Sequence, residues 1–233
     1  MCGRYVSPDT AAIERAWHIG RTNSNPFRRR FNVLPTTNTP ILRGNPATRA
    51  LELVEARWGL IPHWWKQAKP PQHCFNARSE EAAGKPMWRH SYRHARCLIP
   101  AAGWYEWQAV ERADPRTGEI RISKQPHFIY RHDKKLICFA GVMAMNTPEG
   151  KDPLLTCALL TRDAAPSVAM IHDRMPVVLP GALFDSWLDP DLQKSEDVAA
   201  VVARAQVDFA HHPVSIKLNT AKNDDPSLID PLD

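Results

Sequence analysis

The sequence predicts one α+β domain spanning residues 1–233, with a curved, barrel-like and mostly antiparallel β core flanked by short helices. Apolar residues make up 43% of the chain, which is enough to build a core and argues against disorder. Segments rich in valine, isoleucine and aromatic residues outnumber helical segments and do not alternate strictly with them, which argues against a doubly wound parallel sheet. The 21 prolines are scattered without a period, as expected for short elements joined by tight loops.

The first helix is expected to begin at Ser7-Pro8, because serine is a favoured N-cap and proline is favoured at the first helical position. Ile13 and Trp17 would share one face of this helix, and Gly20 would end it. Extended segments rich in β-forming residues follow at 40–43, 51–58, 96–100, 104–108, 127–131, 136–145, 154–160 and 176–179.

Helical periodicity returns in three later segments, at residues 163–172, 183–188 and 197–205. It is clearest in the last segment, where Val198, Val201 and Val202 fall on one face. Arg112–Ser123 is predicted to be an exposed hairpin loop.

The composition of the chain limits the partners, the cysteine and metal sites, and the cellular location that can be expected. The formal charge of +5 suits a polyanionic partner such as nucleic acid, although many enzymes share such a charge. The five cysteines lie far apart without a C-x-x-C pair, so neither a disulfide framework nor a ribbon-type zinc site is predicted, and Cys97, Cys138 and Cys157 are interpreted as small buried hydrophobes. The histidines lack a convincing metal-ligand set, and no cofactor motif is present. With no leader-like or membrane-spanning apolar run, a reduced, cytoplasmic protein is expected.

The amino terminus, Met1-Cys2-Gly3-Arg4, carries the strongest chemical signal. Initiator methionine is normally removed before a small residue, and its removal would expose an α-amine and a thiol on Cys2. Their reference pKa values of about 7.7–8.0 and about 8.5 predict an appreciable reactive fraction of both groups near neutral pH. Such a 1,2-aminothiol closes a five-membered ring on an aldehyde without a cofactor. A retained Met1 would block this chemistry by acylating the amine.

Four further segments combine chemically active residue types. Phe75–Glu80 contains Asn76 and Arg78, and Gly103–Trp107 places Glu106 between aromatic residues that would raise its pKa by desolvation. Ile171–Pro176 places His172 at the end of the predicted helix, where the helix dipole would raise its pKa. Arg57–Lys66 interleaves aromatic and basic residues, a pattern that suits stacking on exposed bases. Each segment by itself also fits ordinary packing, turns or surface charge.

Together these segments closely resemble the SOS-response-associated peptidase (SRAP) family of abasic-site processing proteins. The ordered set is highly specific, although any one motif would be weak. The matching segments are Met1–Arg4, Phe31–Thr36, Arg57–Pro62, Asn76–Glu80, Gly103–Trp107, Ile171–Pro176 and His212–Ser215.

The resemblance implies an SRAP fold that binds single-stranded DNA, including junctions with duplex DNA, and forms a thiazolidine between Cys2 and the ring-opened abasic sugar. It implies that Glu106 transfers protons, His172 assists sugar opening and reversal, and Asn76 orients the reacting atoms. The implied DNA contacts are Arg4, Arg78, Arg174, Pro35, Trp64, Trp65 and Trp107. The expected protein is a monomer without metal or cofactor, associated with the nucleoid through DNA.

Two other classes of function remain open from the sequence. An N-terminal-nucleophile amidohydrolase or peptidase would use the Cys2 thiol to attack an amide, with the α-amine as base. A non-catalytic single-strand-binding module would not need Cys2 at all. The imine chemistry also leaves open a lyase side activity, and the family name leaves open autocatalytic removal of Met1.

Overall fold

The computed structural model describes residues 2–18, 27–113, 116–147, 150 and 152–232. The expectations for Met1 and for Gly20 as a helix end lie outside these residues. The described strands are β1 (Arg4–Ser7), β2 (Arg30–Val33), β3 (Asn38–Gly44), β4 (Leu51–Trp58), β5 (Asn76–Arg78), β6 (Arg96–Ala101), β7 (Gly103–Ala113), β8 (Ile120–Arg131), β9 (Ile137–Asn146), β10 (Leu154–Asp163), β11 (Arg174–Pro176), β12 (Val178–Leu179) and β13 (Phe209–Pro213).

The centre of the fold is a closed barrel in which β10, β4, β3, β6 and β9 follow one another and β9 pairs back to β10. Four of these five pairings are antiparallel, and only β10 with β4 is parallel. Strands β5, β11 and β12 extend the barrel strands. The barrel confirms the predicted fold class.

A second, antiparallel sheet in the order β13-β8-β7-β1-β2 packs on the barrel. Aromatic rings from both layers meet between them: the Tyr5 ring centre lies 5.3 Å from that of Trp58 and 5.7 Å from that of Phe139. Trp104 is fully buried against the same cluster, 6.2 Å from Phe139. This interface fixes β1, and therefore the chain start, against β7.

The helices are short and lie at the periphery. They are α1 (Thr10–Trp17), α2 (Ser79–Ala82), α3 (Arg89–His94), α4 (Phe184–Leu188) and α5 (Ser195–Ala203), with 3-10 turns at Gly181–Leu183, Ile216–Asn219 and Pro226–Ile229. The predicted helices near 183–188 and 197–205 are confirmed, and the predicted apolar face of the latter is buried. Among the described helices, none is long and apolar enough to cross a membrane.

Two local predictions are wrong. The first helix begins at Thr10 instead of Ser7-Pro8, because Asp9 caps it by accepting a hydrogen bond from Ala12 N at 2.7 Å, while Ser7 pairs in β1. Residues 163–172 do not form a helix: β10 continues to Asp163, and only isolated turns follow. The exposed hairpin predicted at Arg112–Ser123 is confirmed, but its loop is shorter than expected, because β7 runs to Ala113 and pairs with β8 from Ile120.

The predicted burial of three cysteines is confirmed. Cys97, Cys138 and Cys157 are fully buried, and all five cysteines are free thiols. Burial raises the pKa of each of these three thiols, so they are held in the neutral form that packs as a small apolar side chain.

Candidate active site

Cys2 is placed by the pairing of β1 with β7. Arg4 lies opposite Tyr105 in this antiparallel pair, so the residues just before β1 lie beside Glu106. The Cys2 side chain is fully buried, with Sγ 4.0 Å from the carbonyl oxygen of Arg4. Burial raises the pKa of the thiol well above its usual value, and the Glu106 carboxylate raises it further. Burial therefore opposes the thiolate form on which the expected reactivity of Cys2 depends.

Glu106 is the buried acid of the site. It lies on the same face of β7 as Trp104, and only 2% of it is exposed. Burial raises the pKa of its carboxyl group to about 7, in the direction predicted from the flanking aromatic residues. A carboxyl group with this pKa can both accept and donate a proton at neutral pH.

His172 faces Glu106 across the site, with its Nε2 4.0 Å from Glu106 Oε2. It follows a turn rather than a helix, so the expected helix dipole is absent, and burial lowers its pKa instead of raising it. The backbone N–H of Arg174 donates to Nδ1 at 2.9 Å, which directs the proton of the neutral ring to Nε2, the nitrogen nearer Glu106. Asp173 Oδ1 lies 2.8 Å from the same Nδ1, a contact that becomes favourable when this nitrogen carries a proton.

Asn76 reaches the site from a different element. It begins β5, which runs parallel to β10 with Asn76 opposite Leu159. The Asn76 amide Nδ2 donates to the Cys2 carbonyl oxygen at 2.6 Å, which fixes the backbone at the chain start. Its Oδ1 is buried and has no hydrogen-bond partner among the described residues, so one acceptor of this side chain remains unused.

Arg4 and Trp107 form one unit at the edge of the site. The Arg4 guanidinium lies 5.5 Å from the centre of the Trp107 ring and donates to the carbonyl oxygens of Leu218 and Asn219. Trp107 Nε1 donates to Asn219 Oδ1 at 2.8 Å. The role of Asn219 was missed from the sequence, because no motif connects it to residues more than 100 positions earlier.

The other two predicted phosphate contacts differ in their surroundings. Arg78 is exposed, and its Nη1 lies 3.3 Å from Glu81 Oε1. Arg174 is largely buried and is held between the carboxylates of Glu80 and Asp163. A phosphate contact by Arg174 would therefore compete with two existing ion pairs, whereas Arg78 would release a single described partner, the partly buried Glu81.

The predicted base-stacking residues lie on two loops. Pro35 is half-buried in the turn between β2 and β3. Trp64 is 44% exposed, and its ring centre lies 5.9 Å from that of Trp65. Trp65 is less exposed and donates through Nε1 to the carbonyl oxygen of Lys69 at 3.0 Å. Trp64 is therefore the better placed of the two tryptophans to receive a base.

The sequence model of the family described as "SOS response associated peptidase (SRAP)" matches residues 1–221. The chain belongs to the SRAP family. It is 35% identical over 234 residues to the abasic site processing protein YoqW of Bacillus subtilis, with 99% of each chain covered. It is also 32% identical to the abasic site processing protein YedK of Escherichia coli, with 87% of this chain and 85% of that protein covered.

Solved structures confirm the SRAP fold of the chain. A Bacteroides thetaiotaomicron protein of known crystal structure superposes with a TM-score of 0.78, at 21% identity, over 99% of this chain and 100% of that one. A phage-related protein from Bordetella bronchiseptica gives a TM-score of 0.66 at 28% identity, covering 91% of this chain and 94% of that one.

This SRAP chain carries a buried histidine next to the site. His127 lies directly opposite Glu106 in the pairing of β7 with β8, and only 7% of it is exposed. Its ring centre lies 5.3 Å from that of His211, and the Nδ1 atoms of both rings are buried without a hydrogen-bond partner among the described residues. Burial, His211 and His212 lower the pKa of His127 to about 4.

His127 should therefore make the fold sensitive to acid. In the unfolded chain a histidine titrates near 6.5, so between about pH 6.5 and about pH 4 the unfolded state binds more protons and stability falls as the pH falls. We expect the wild type to lose about 1–3 kcal/mol more unfolding free energy than His127→Gln over this window, measured by urea unfolding. The raised pKa of Glu106 has the opposite sign but is common to both proteins. Parallel pH profiles of the two proteins would contradict this assignment.

Proposed function

We propose that the chain, after removal of Met1, binds single-stranded DNA and captures abasic sites through a covalent thiazolidine at Cys2, which shields the lesion. The convergence of Cys2, Asn76, Glu106 and His172 carries the proposal, because elements far apart in the sequence bring an N-terminal thiol, a buried acid and two orienting groups together. The names of the relatives, abasic site processing proteins, supply the class of substrate.

The first step joins the Cys2 α-amine to the open-chain sugar. The amine nitrogen attacks the aldehyde carbon C1′ while protonated Glu106 gives its proton to the carbonyl oxygen, which becomes a hydroxyl group. The Glu106 carboxylate then takes a proton from the nitrogen and returns it to this hydroxyl group, which leaves as water. The remaining proton on the nitrogen passes back to Glu106 and leaves an imine. A carboxyl group with a pKa of about 7 is suited to these transfers. The free Oδ1 of Asn76 can accept a hydrogen bond from the amine or the departing hydroxyl.

The second step closes the ring. The Cys2 sulfur adds to the imine carbon, a C–S bond forms, and the thiol proton is transferred to the imine nitrogen. Because the thiol is neutral in its buried site, this step needs a proton acceptor nearby, and Glu106 lies there. His172, with its Nε2 directed toward Glu106, is suited to opening the sugar ring and to the reverse reaction.

The DNA is proposed to pass along the edge formed by Arg4 and Trp107, with Arg78 on a flanking phosphate. Trp64 would stack on an exposed base, with Pro35 at the junction with a duplex. In this assignment Arg174 orders the His172 loop through Glu80 and Asp163, and a phosphate that contacts it would displace one of these carboxylates.

Arg78→Ala should mainly weaken binding. An exposed arginine that neutralises one phosphate contributes about one counterion to the salt dependence, so the slope of log K against log salt should fall by about 1 and affinity by about 5- to 10-fold. Fluorescence anisotropy with an undamaged single-stranded oligonucleotide over a salt series measures both quantities. Glu81→Gln is the matched control: it removes the partner of Arg78 and should leave affinity unchanged or increase it. An unchanged slope in Arg78→Ala would show that Arg78 does not touch phosphate.

The proposed function is tested on a denaturing gel. Protein whose intact mass shows the loss of Met1 is incubated with a single-stranded oligonucleotide bearing one abasic site, and the matched intact oligonucleotide is the control. A heat-stable, slower-migrating band that forms with the abasic oligonucleotide but not with the intact one supports covalent capture. If no band forms, hydrolysis of glutamine would favour the amidohydrolase, whereas tight non-covalent binding to both strands would favour a plain single-strand-binding module.

A further inference from the structure

The positive charge of the chain is concentrated in one segment. Residues 57–96 contain eight lysines and arginines and only two glutamates, a net charge of +6, whereas the whole chain carries +5. The rest of the chain is therefore close to neutral. Such a concentration of charge is the electrostatic footprint of a polyanionic partner. Six of the eight basic side chains are exposed: Lys66, Lys69, Arg78, Lys85, Arg89 and Arg93.

The barrel holds two parts of this segment side by side. Asn146, the last residue of β9, donates through Nδ2 to two carbonyl oxygens of the loop that carries Trp64 (residues 62–73, the Trp64 loop), at 2.8 and 3.1 Å. Three residues earlier in β9, the backbone N–H of Met143 donates at 2.8 Å to the carbonyl oxygen of Ala95, which directly follows α3. The Trp64 loop and α3 therefore lie at the same end of β9.

Three histidines join the loop to the helix. The ring centre of His90 lies 4.9 Å from that of His63 and 5.1 Å from that of His94. His90 and His94 are one turn apart on α3, and Arg89 and Arg93 form a second exposed row beside them. Within the part of the chain that the structure describes, no group of three or more such side chains is placed to hold a metal ion. The three rings therefore act as separate donors, which suits the oxygens of a phosphate chain.

Carboxylates leave most of this charge unpaired. Among the described residues, Glu81 pairs with two of the six exposed cations, and no carboxylate pairs with the other four. Helix α5 packs on α3 and carries Glu196 and Asp197 in its first turn. Neither forms an ion pair with α3, because Arg93 Nε donates instead to Ser195 Oγ at 3.0 Å. The cations thus remain available to a ligand that brings its own negative charge.

We propose that the exposed face of α3 and the Trp64 loop together form a second phosphate-binding surface, the α3 surface, which holds the DNA strand beyond the base stacked on Trp64. Its role rests on the proposed function, because the surface extends the path of the strand proposed there. An aromatic ring beside rows of cations is the arrangement that follows a single strand: the ring stacks on a base and the cations hold the phosphates.

The α3 surface lies at a distance from the reacting atoms. Asn76 of the candidate active site is opposite Leu159 of β10, which is itself opposite Gly141 of β9. Asn146, which holds the Trp64 loop, is five residues further along β9, or roughly 17 Å at the usual rise of a strand. The surface therefore contacts nucleotides beyond the immediate neighbours of the lesion.

The test measures binding of undamaged single-stranded oligonucleotides to the full chain by fluorescence anisotropy over a salt series. A short oligonucleotide covers only the candidate active site and Trp64, and two longer ones extend it on the 5′ side or on the 3′ side. Arg89→Gln with Arg93→Gln should weaken binding of one of the longer oligonucleotides by about 10-fold. It should also lower the salt slope by about 1.4, the value for two phosphate contacts on a single strand. Binding of the short oligonucleotide should stay within about 2-fold.

Lys134→Gln with Lys135→Gln is the charge-matched control, because these exposed lysines precede β9 and lie at its opposite end. It should stay within about 2-fold on all three oligonucleotides. Circular dichroism of each variant checks that a loss of binding is not a loss of folding. Covalent capture of a short abasic oligonucleotide should be unchanged in Arg89→Gln with Arg93→Gln. A failure of the proposed function, in which the wild type captures nothing, is thereby distinguished from a failure at the α3 surface.

The histidines provide a second readout. Burial and the neighbouring His63 and His94 lower the pKa of His90 in the free protein. A bound phosphate raises the pKa of a histidine beside it, so DNA binding takes up protons. Affinity for the longer oligonucleotide should therefore fall by about 3- to 10-fold between about pH 6 and about pH 8. His90→Gln with His94→Gln should flatten this dependence, while the other titrating groups are common to both proteins.

Three results would overturn the proposal. Equal affinity of the wild type for the short and both longer oligonucleotides would show that the strand does not reach the α3 surface. Equal weakening by the control pair would reduce the effect to general charge attraction. Binding of Zn²⁺ that is lost in His90→Gln with His94→Gln, together with a pH dependence of DNA affinity that persists there, would assign the histidines to a metal ion.

Discussion

Cys2→Ser should abolish the heat-stable adduct with abasic DNA while leaving a reducible intermediate. Serine is also small enough for Met1 to be removed, so the α-amine remains and can still form an imine with the aldehyde. The serine hydroxyl is a much weaker nucleophile than a thiol, so the stable ring does not accumulate. On a denaturing gel, wild type should give a band without reductant, and Cys2→Ser should give one only when borohydride traps the imine.

A wild-type chain that keeps an N-terminal extension is the matched control for this prediction. Its Cys2 nitrogen is an amide, so neither the stable band nor the trapped band should form. The three proteins together separate the contributions of nitrogen and sulfur. A heat-stable band of wild-type intensity from Cys2→Ser without reductant would show that another side chain holds the DNA.

The sequence patterns predict strands better than they predict what joins them. The predicted extended segment Leu51–Trp58 has the same bounds as β4, because apolar residues interleaved with charged ones specify a half-buried strand largely by themselves. Residues 163–172 are predicted to be helical, because their small and apolar residues fit a helical repeat locally. In the structure β10 instead extends to Asp163, because β10 pairs with β11 and with β5. Closure of the barrel through β9 and β10 depends on such long-range pairings, which no local pattern contains.

For the candidate site, too, the sequence predicts local properties of a residue better than it predicts which distant residues come together. The aromatic neighbours of Glu106 were sufficient to predict the direction of its pKa shift, because flanking hydrophobic residues already imply burial. The grouping of Asn76 with Cys2 came only from the resemblance to the SRAP family, since 74 residues separate the two in the chain. The upward shift of the Cys2 thiol pKa was not expected from the sequence, because residues near a chain terminus are usually exposed, whereas Cys2 is buried beside a carboxylate.

Glu106→Gln should slow adduct formation by about 10²- to 10⁴-fold, the usual range for loss of a general acid–base group. Glutamine has nearly the same shape and can still form hydrogen bonds, so the fold should be kept while proton transfer is lost. Single-turnover gel time courses with an abasic oligonucleotide measure the rate. Glu106→Asp is the conservative control: it keeps a carboxyl group at a shorter reach and should retain part of the activity.

The pH dependence of the same reaction identifies the role of Glu106 more sharply than the size of the rate loss in Glu106→Gln does. The α-amine and the carboxyl group with a pKa of about 7 form a coupled pair, and the reactive state holds one proton between them. Below about pH 7 the carboxylate that accepts the proton is lost, and above about pH 8 the proton needed to expel water is lost. The wild-type rate should therefore peak between these values. In Glu106→Gln the rate should only rise with pH, as the amine alone deprotonates, and a bell-shaped profile that survives in this variant would assign the second titration to another group.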